Sequence, residues 1–394
     1  MNIILFETDQ RNCLLPLCYT RPVASLRTGI LTIFEKWKLR LSGNYSFKTE
    51  LYLKEKFPLT LAEDNLLISA HICPNDELAK QVKELKSFEG IKWQGIPVAL
   101  RVPAAQVKSY PALSETIKWD NFDGHLDNIR YAWDLNEASG NQFQLDFELV
   151  TAGRQSAPLS GSNNVIAPEN IFVEEGARVE FATINASAGP VYVGKGAEIM
   201  EGALIRGPLA LGEHSVVNLG SKIYGPVSIG PYCRVGGEIS HSILIGYSNK
   251  GHDGFLGHSV LGEWCNLGAG TNVSNLKNTY DKVKVWSYPE GKFVRTGLQF
   301  CGLIMGDHSK AGINTMFNTG TVVGVGCNIH GAGFPRQFVP SFSDGGVHGY
   351  KVHQLKTVFG TAAQVMARRS TVLTDADQRL LTAIFDKSAV SRKF

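Results

Sequence analysis

From residue 193 onward an aliphatic side chain returns at every sixth position: Val193, Ile199, Ile205, Leu211, Val217, Ile223, Ile229 and Val235. A period of six is neither the 3.6 of an amphipathic helix nor the 2 of a half-buried strand. A period of 18 lies over it, because segments 189–194, 207–212 and 225–230 each open on Gly-Pro and close on Gly. Together these predict a left-handed parallel β-helix of hexapeptide repeats. Three short strands with sharp corners make one coil of 18 residues. One aliphatic residue of each hexad points inward and stacks on its counterpart about 4.8 Å along the axis. Glycine and Gly-Pro serve the corners, which need a positive or a fixed φ.

The same period extends to both sides. Val173 and Val179 precede the clean run, and Phe255, Leu261, Leu267 and Val273 follow it after a two-residue slip. Met305, Ala311, Phe317, Val323 and Ile329 resume it. The polar and aromatic stretch 276–297 breaks the phase and reads as a loop thrown out of the helix, where a solenoid commonly builds its binding surface.

The β-helical domain is therefore expected over residues 156–340. Residues 1–155 alternate strand-like runs (Met1–Phe6, Leu66–Cys73, Ile96–Val102) with a helix-like stretch, Ala24–Leu41, and read as an α/β domain. Pro335 and Pro340 are expected to end the coil, with a new element from Gly345. Residues 341–394 read as a helical tail. Val352, Leu355, Phe359, Ala362 and Met366 share a helix face, and Thr374 with Asp377 forms a capping box before a last helix through Phe385. Such a tail would cover the open end of the solenoid.

Composition narrows the function. The 394 residues carry a net charge of +3 with both signs interspersed, which gives no argument for a nucleic-acid or membrane partner. The opening apolar run is too short for a signal peptide. Seven scattered cysteines, odd in number and without C-x-x-C spacing, read as reduced thiols of a cytoplasmic protein.

The most polar part of the helix runs from Ser248 through Gly251-His252 and Leu256-Gly257 to Asn266-Leu267-Gly268-Ala269-Gly270-Thr271 and Asn275. This pattern resembles the acetyltransferase domain of the GlmU family, the bifunctional glucosamine-1-phosphate acetyltransferase and N-acetylglucosamine-1-phosphate uridyltransferase. The order of parts, an α/β domain and then a hexapeptide β-helix, is similar too. The resemblance implies transfer of an acetyl group from acetyl-CoA to an amino-sugar phosphate, a nucleotide as a further small-molecule partner, and Mg²⁺ if the first domain transfers nucleotides. It also implies a homotrimer with sites between subunits.

Residue by residue, the resemblance makes His252 the general base for the sugar amine, a task that suits an imidazole near neutral pH. Asn266 and Asn275 are implied to hold the sugar and polarise reacting groups. Ala311 and Gly312 match the strip along which the pantetheine arm lies, and Arg336 falls near the CoA phosphates. Phe255 stands where the family has a tyrosine. The family's arginine after the Ile-Gly-Pro corner would fall near Gly236, with only Arg234 nearby, and its phosphate-binding lysine has no direct match. Lys222 or Lys250 is expected to substitute. The first domain departs further, with no glycine between Phe6 and Gly29 to make a phosphate loop. Arg11, Arg21 and Arg27 are the candidates for neutralising a nucleotide. No metal-binding aspartate is assignable, though Asp64 and Asp123 are available.

Two other readings stay open. His241, His252 and His258 are placed for a zinc site of the γ-carbonic anhydrase type, shared between subunits. A β-helix joined to a degenerate nucleotidyltransferase-like domain is also suited to a non-catalytic sugar-nucleotide sensor or scaffold.

Overall fold

The computed structural model describes residues 1–107, 109 and 114–394. The chain divides into two compact units, one of residues 1–14, 21–26 and 31–130 and one of residues 15–20, 27–30 and 131–394.

In the first unit, β1 (Asn2–Phe6) is buried at all five positions, as a strand covered on both faces must be. It pairs in parallel with β2 (Asn44–Lys48) and β3 (Asp64–Ser69). The sheet continues through β5 (Ile96–Pro103), antiparallel to β3 and to β4 (Glu89–Trp93), and ends at β6 (Lys118–Asn121), parallel to β4. Ile4, Phe6, Leu67, Leu100 and Val102 form its core. The helix expected over 24–41 is only α1 (Ile33–Arg40), opened by a capping box in which Glu35 N donates to Thr32 Oγ1 at 3.2 Å. Gly29, with φ +74°, breaks the pattern before it. A second helix, α2 (Asp76–Glu84), starts at Asn75, whose side chain caps Leu78 N.

The second unit begins its main run with α3 (Asp134–Thr151), which the sequence pattern places in the first domain. Three parallel sheets follow and wrap around one apolar core from Ile171 to Val339. The first face starts at Asn164–Ile166, the second at Ile171–Val173 and the third at Arg178–Val179, and each gains one strand per coil. The eight aliphatic residues of the clean run are all buried, as are Val173 and Val179.

The phase slip is spread over several corners. Ile223 pairs with Ile239, Ile229 with Leu244 and Val235 with Lys250, so these coils shorten to 15 or 16 residues. The next pairing, Ile239 with Leu256, puts Leu256 in the core rather than Phe255, which turns outward and is half-buried. The stretch 276–297 is not a free loop. It carries an antiparallel hairpin of Lys284–Ser287 and Lys292–Arg295, and Trp286 stacks on Phe338 with ring centroids 4.2 Å apart. Nor do the prolines end the coil: Phe338–Val339 and Ser343–Gly346 complete one more turn in parallel register, and Gly349–Val352 folds back to cover that edge.

One corner of the solenoid, between the second and third faces, is built from aromatic residues in the left-handed region. His214, Tyr232, Tyr247, Trp264, His308 and Phe342 have φ between 52° and 60°. From His214 to His308 the rings follow one another at 5.1, 5.1, 4.3 and 6.3 Å, the first pair tilted and the other three stacked. Stacking along the corner offsets the cost of holding bulky residues at positive φ.

The tail does more than close the end. Phe385 of α5 (Asp375–Lys387) does meet Phe342 in the last coil, edge to face at 5.1 Å. The preceding helix, α4 (Leu355–Ala367), runs along the side of the solenoid. Val358 lies against Gly326 at one end, and beyond the other Arg369 Nε donates to Tyr232 O at 3.3 Å. Thirteen residues of helix reach about 20 Å, roughly four coils.

Candidate active site

Side chains that point outward from the third face fall into a column. Arg234, Asn249, Asn266, Lys310 and Asn328 are directly opposed in register on successive strands, about 4.8 Å apart. Asn249 Nδ2 donates to Asn266 Oδ1 at 3.4 Å. The floor of a cleft of about 590 Å³ is laid along the first three of these residues. Asn218, Ile313 and His252 line it as well, and the tail contributes Arg368 and Arg369. Arg369 is anchored there, donating from Nη2 to Asn249 Oδ1 at 3.1 Å.

His252 stands exposed on the corner between the third and first faces and lines the cleft. The corner is held from below. Asn218 Nδ2 donates to Gly251 O at 2.7 Å, and position 236 must be glycine because a Cβ there would lie 2.5 Å from Gly251 O. On the other side, a Cβ at Gly254 would meet Thr271 O at 2.1 Å. The corner therefore has little freedom to move, which suits a group that must meet a substrate in one place.

Lys250 does not fill the substrate-binding role expected of it. It occupies the inward hexad position, fully buried, and its Nζ donates to Gly236 O at 3.2 Å and to His252 O. Burial pulls its pKa down to about 8. Lysine here ties two successive corners together from inside and fixes the backbone of His252. Lys222 is exposed on the first face, in register with Glu238, and is not among the residues that line the cleft. The cations that do line it are Arg234, Arg368 and Arg369. The tail pair carries no local motif, because only the fold-back of α4 brings it to the third face. Burial first, then the charges of Arg234 and Arg368, lowers the pKa of Arg369.

Asn275 and Phe255 belong to a different part of the same coil. Asn275 Nδ2 donates to His258 Nδ1 at 2.9 Å, and the space above Gly257 is shared by Asn275 and the Phe255 ring. His258 stacks on His241 at 4.6 Å and on Phe300 at 5.1 Å. Its pKa falls to about 4, through burial and then the neighbouring His241. The structure thus brings His252 and Asn266 together in one cleft and leaves Asn275 and Phe255 outside it.

Ala311 points into the core, and neither it nor Gly312 lines the cleft, which takes only the following Ile313 from this segment. Gly312 O is occupied by Thr315 Oγ1 at 2.8 Å. Arg336 is exposed and lies outside the cleft lining.

In the first unit the expected nucleotide arginines are placed differently from the expectation. Arg11 is buried, paired with Glu7 at 3.2 Å and bonded to Tyr52 Oη at 3.1 Å. Arg21 is also buried, so neither guanidinium lies open to a triphosphate. Arg27 belongs to the second unit and donates to Ile30 O. Asp64 is bound at both oxygens by Arg101, while Asp123 lines a cleft of about 450 Å³ with Trp93, Asn121 and His125. Among the described residues no three His, Cys, Asp or Glu side chains converge as metal ligands. Among the described residues one chain therefore does not assemble the three-ligand zinc site.

These placements meet an independent comparison with known proteins. Residues 3–155 match the sugar nucleotidyl transferase family. The bifunctional sugar-1-phosphate nucleotidylyltransferase/acetyltransferase of Sulfurisphaera tokodaii is 31% identical over 93 residues, 24% of this chain and 23% of that protein. The bifunctional protein GlmU of Methanocaldococcus jannaschii is 36% identical over 92 residues, 23% of this chain and 22% of that one. The chain thus matches less than a quarter of the length of either relative. Among solved structures, Arabidopsis UDP-N-acetylglucosamine acyltransferase aligns with 59% of this chain and 93% of its own, at 15% identity and a TM-score of 0.24. No helix among the described residues is long and apolar enough to cross a membrane.

Proposed function

We propose that the second unit is an acetyl-CoA-dependent acetyltransferase acting on an amino-sugar phosphate, in a cytoplasmic enzyme of sugar-nucleotide synthesis. The observation that carries this reading is that His252 and Asn266 line one cleft together with Arg234, Arg368 and Arg369. A base, an amide and a cationic anchor are what an amine acceptor bearing phosphate requires.

In the reaction the sugar nitrogen attacks the thioester carbonyl and loses a proton to His252. Collapse of the tetrahedral intermediate breaks the C–S bond, and the proton passes from the imidazolium to the departing sulfur. Asn266 orients the acceptor, and the rigid corner holds the imidazole in line. We assign the working form as a homotrimer, in which Asn275 and Phe255 of one subunit complete the cleft of the next, since one chain does not bring them to His252. Fully buried Cys233 and Cys327 accord with a reducing compartment.

For the first unit the family match supports handling of a sugar nucleotide. The Glu7–Arg11 pair favours a second reading there, binding without nucleotidyl transfer, because the guanidinium nearest the end of β1 is already neutralised. The test of the main proposal is release of free CoA from acetyl-CoA across a panel of amino-sugar phosphates. Turnover with at least one of them is expected, and none with any would end the acetyltransferase reading.

A further inference from the structure

The cleft holds more positive charge than one phosphate needs. Arg234, Arg368 and Arg369 line it, and no carboxylate is among the residues that do. Like charges gathered in one place are costly, and bound anion relieves that cost. The charge is also spread in space. Arg234 projects from one coil, while Arg369 is anchored to Asn249 on the next, about 4.8 Å farther along the column. Part of the Arg369 guanidinium is spent on Asn249 and Tyr232, and Arg368 stands exposed beside it. Asn266 extends the polar column by one more coil, beyond the coil that carries Asn249 and His252.

From this arrangement we infer that the cleft is a site for an organic diphosphate, gripped by Arg234 from the β-helix and by Arg368 and Arg369 from the tail. Guanidinium forks match phosphoryl oxygens in pairs, and cations on two adjacent coils engage two linked phosphoryl groups better than one. The same chemistry has two sources: an amino sugar carried on a nucleoside diphosphate, or the diphosphate of coenzyme A itself. The inference rests on the acetyltransferase reading only for the choice between them. It replaces the exposed Lys222 as the expected phosphate ligand with cations that only the folded tail supplies.

The test is calorimetric titration of the full chain with inorganic pyrophosphate and, separately, with orthophosphate. Pyrophosphate is expected to bind at least about tenfold more tightly, and Arg234→Gln or Arg368→Gln to weaken it by about 10- to 100-fold, the loss of one charge-assisted bond. Arg368 bonds Met366 O through its backbone N–H, and its side chain makes no hydrogen bond or ion pair to the described residues, so its variant keeps the tail in place. Lys222→Gln is expected to leave the affinity unchanged. Competition then separates the sources, with a UDP-linked amino sugar displacing pyrophosphate in one case and coenzyme A in the other. Equal affinity for the two anions, or undiminished affinity in both arginine variants, overturns the inference. Because binding is read without turnover, this result is independent of whether CoA is released.

Discussion

The side-chain amide of Asn275 donates to Nδ1 of His258 across 2.9 Å, so the proton of this neutral imidazole sits on Nε2. Burial and the stacked His241 hold the pKa of His258 down at about 4. In the unfolded chain it returns to about 6.5, so between these values the unfolded state binds more protons. Stability from this group is complete above about pH 6.5 and is lost as pH falls through 4. Denaturation midpoints measured from pH 7 to 4 are expected to fall, and less steeply in His258→Asn. Buried His71, also near 4, leaves a remaining slope in the variant. Nitrogen-detected NMR of the wild type is expected to place the proton on Nε2 at pH 7.

Lys250 sets a second pH window, in the alkaline range. Its pKa is lowered to about 8 against about 10.4 in the unfolded chain, so the unfolded state again binds more protons between these values. Stability is expected to rise from pH 8 to 10, and Lys250→Met to flatten that rise. Truncation to alanine removes the buried stem as well as both carbonyl contacts, and is expected to cost about 2–5 kcal/mol in chemical denaturation.

The corner ladder makes a prediction about stability alone. Trp264 sits between Tyr247 at 4.3 Å and His308 at 6.3 Å and is buried. Trp264→Ala is expected to lose about 3–5 kcal/mol by chemical denaturation. A loss below about 1 kcal/mol would mean that the stack is incidental to the fold.

The β-helix was legible in the sequence because its core repeats one residue class at one spacing. Val193 through Val235 needed no long-range information to be placed. Phe255 was misplaced by one residue because shortened coils between Val235 and Leu261 change the spacing without changing composition. Lys250 in a core position defeats any rule based on hydrophobicity, since two carbonyls that accept from it are supplied by corners 14 residues before and two residues after it. His252 and Asn266 were readable from local motif and lie in one cleft. Arg368 and Arg369 were not readable, because they reach the third face only through the fold-back of α4. The Thr374–Asp377 capping box, a purely local signal, forms as expected.

The proposed trimer has its own test in mixed subunits. Light scattering is expected to give three times the chain mass of 43.0 kDa. His252→Ala and Asn275→Ala proteins, each inactive, are expected to regain part of the activity when refolded together. A mixture that stays inactive would mean that His252 and Asn275 do not serve one site.

The most direct test of the account is acetyl-CoA turnover on an amino-sugar phosphate by the wild type and by His252→Ala, with folding checked by circular dichroism. The account predicts CoA release by the wild type and a loss of about 10²- to 10⁴-fold in the folded variant, the range for removal of a general base. Equal rates in the two proteins would contradict it and remove the chemistry from the third-face cleft.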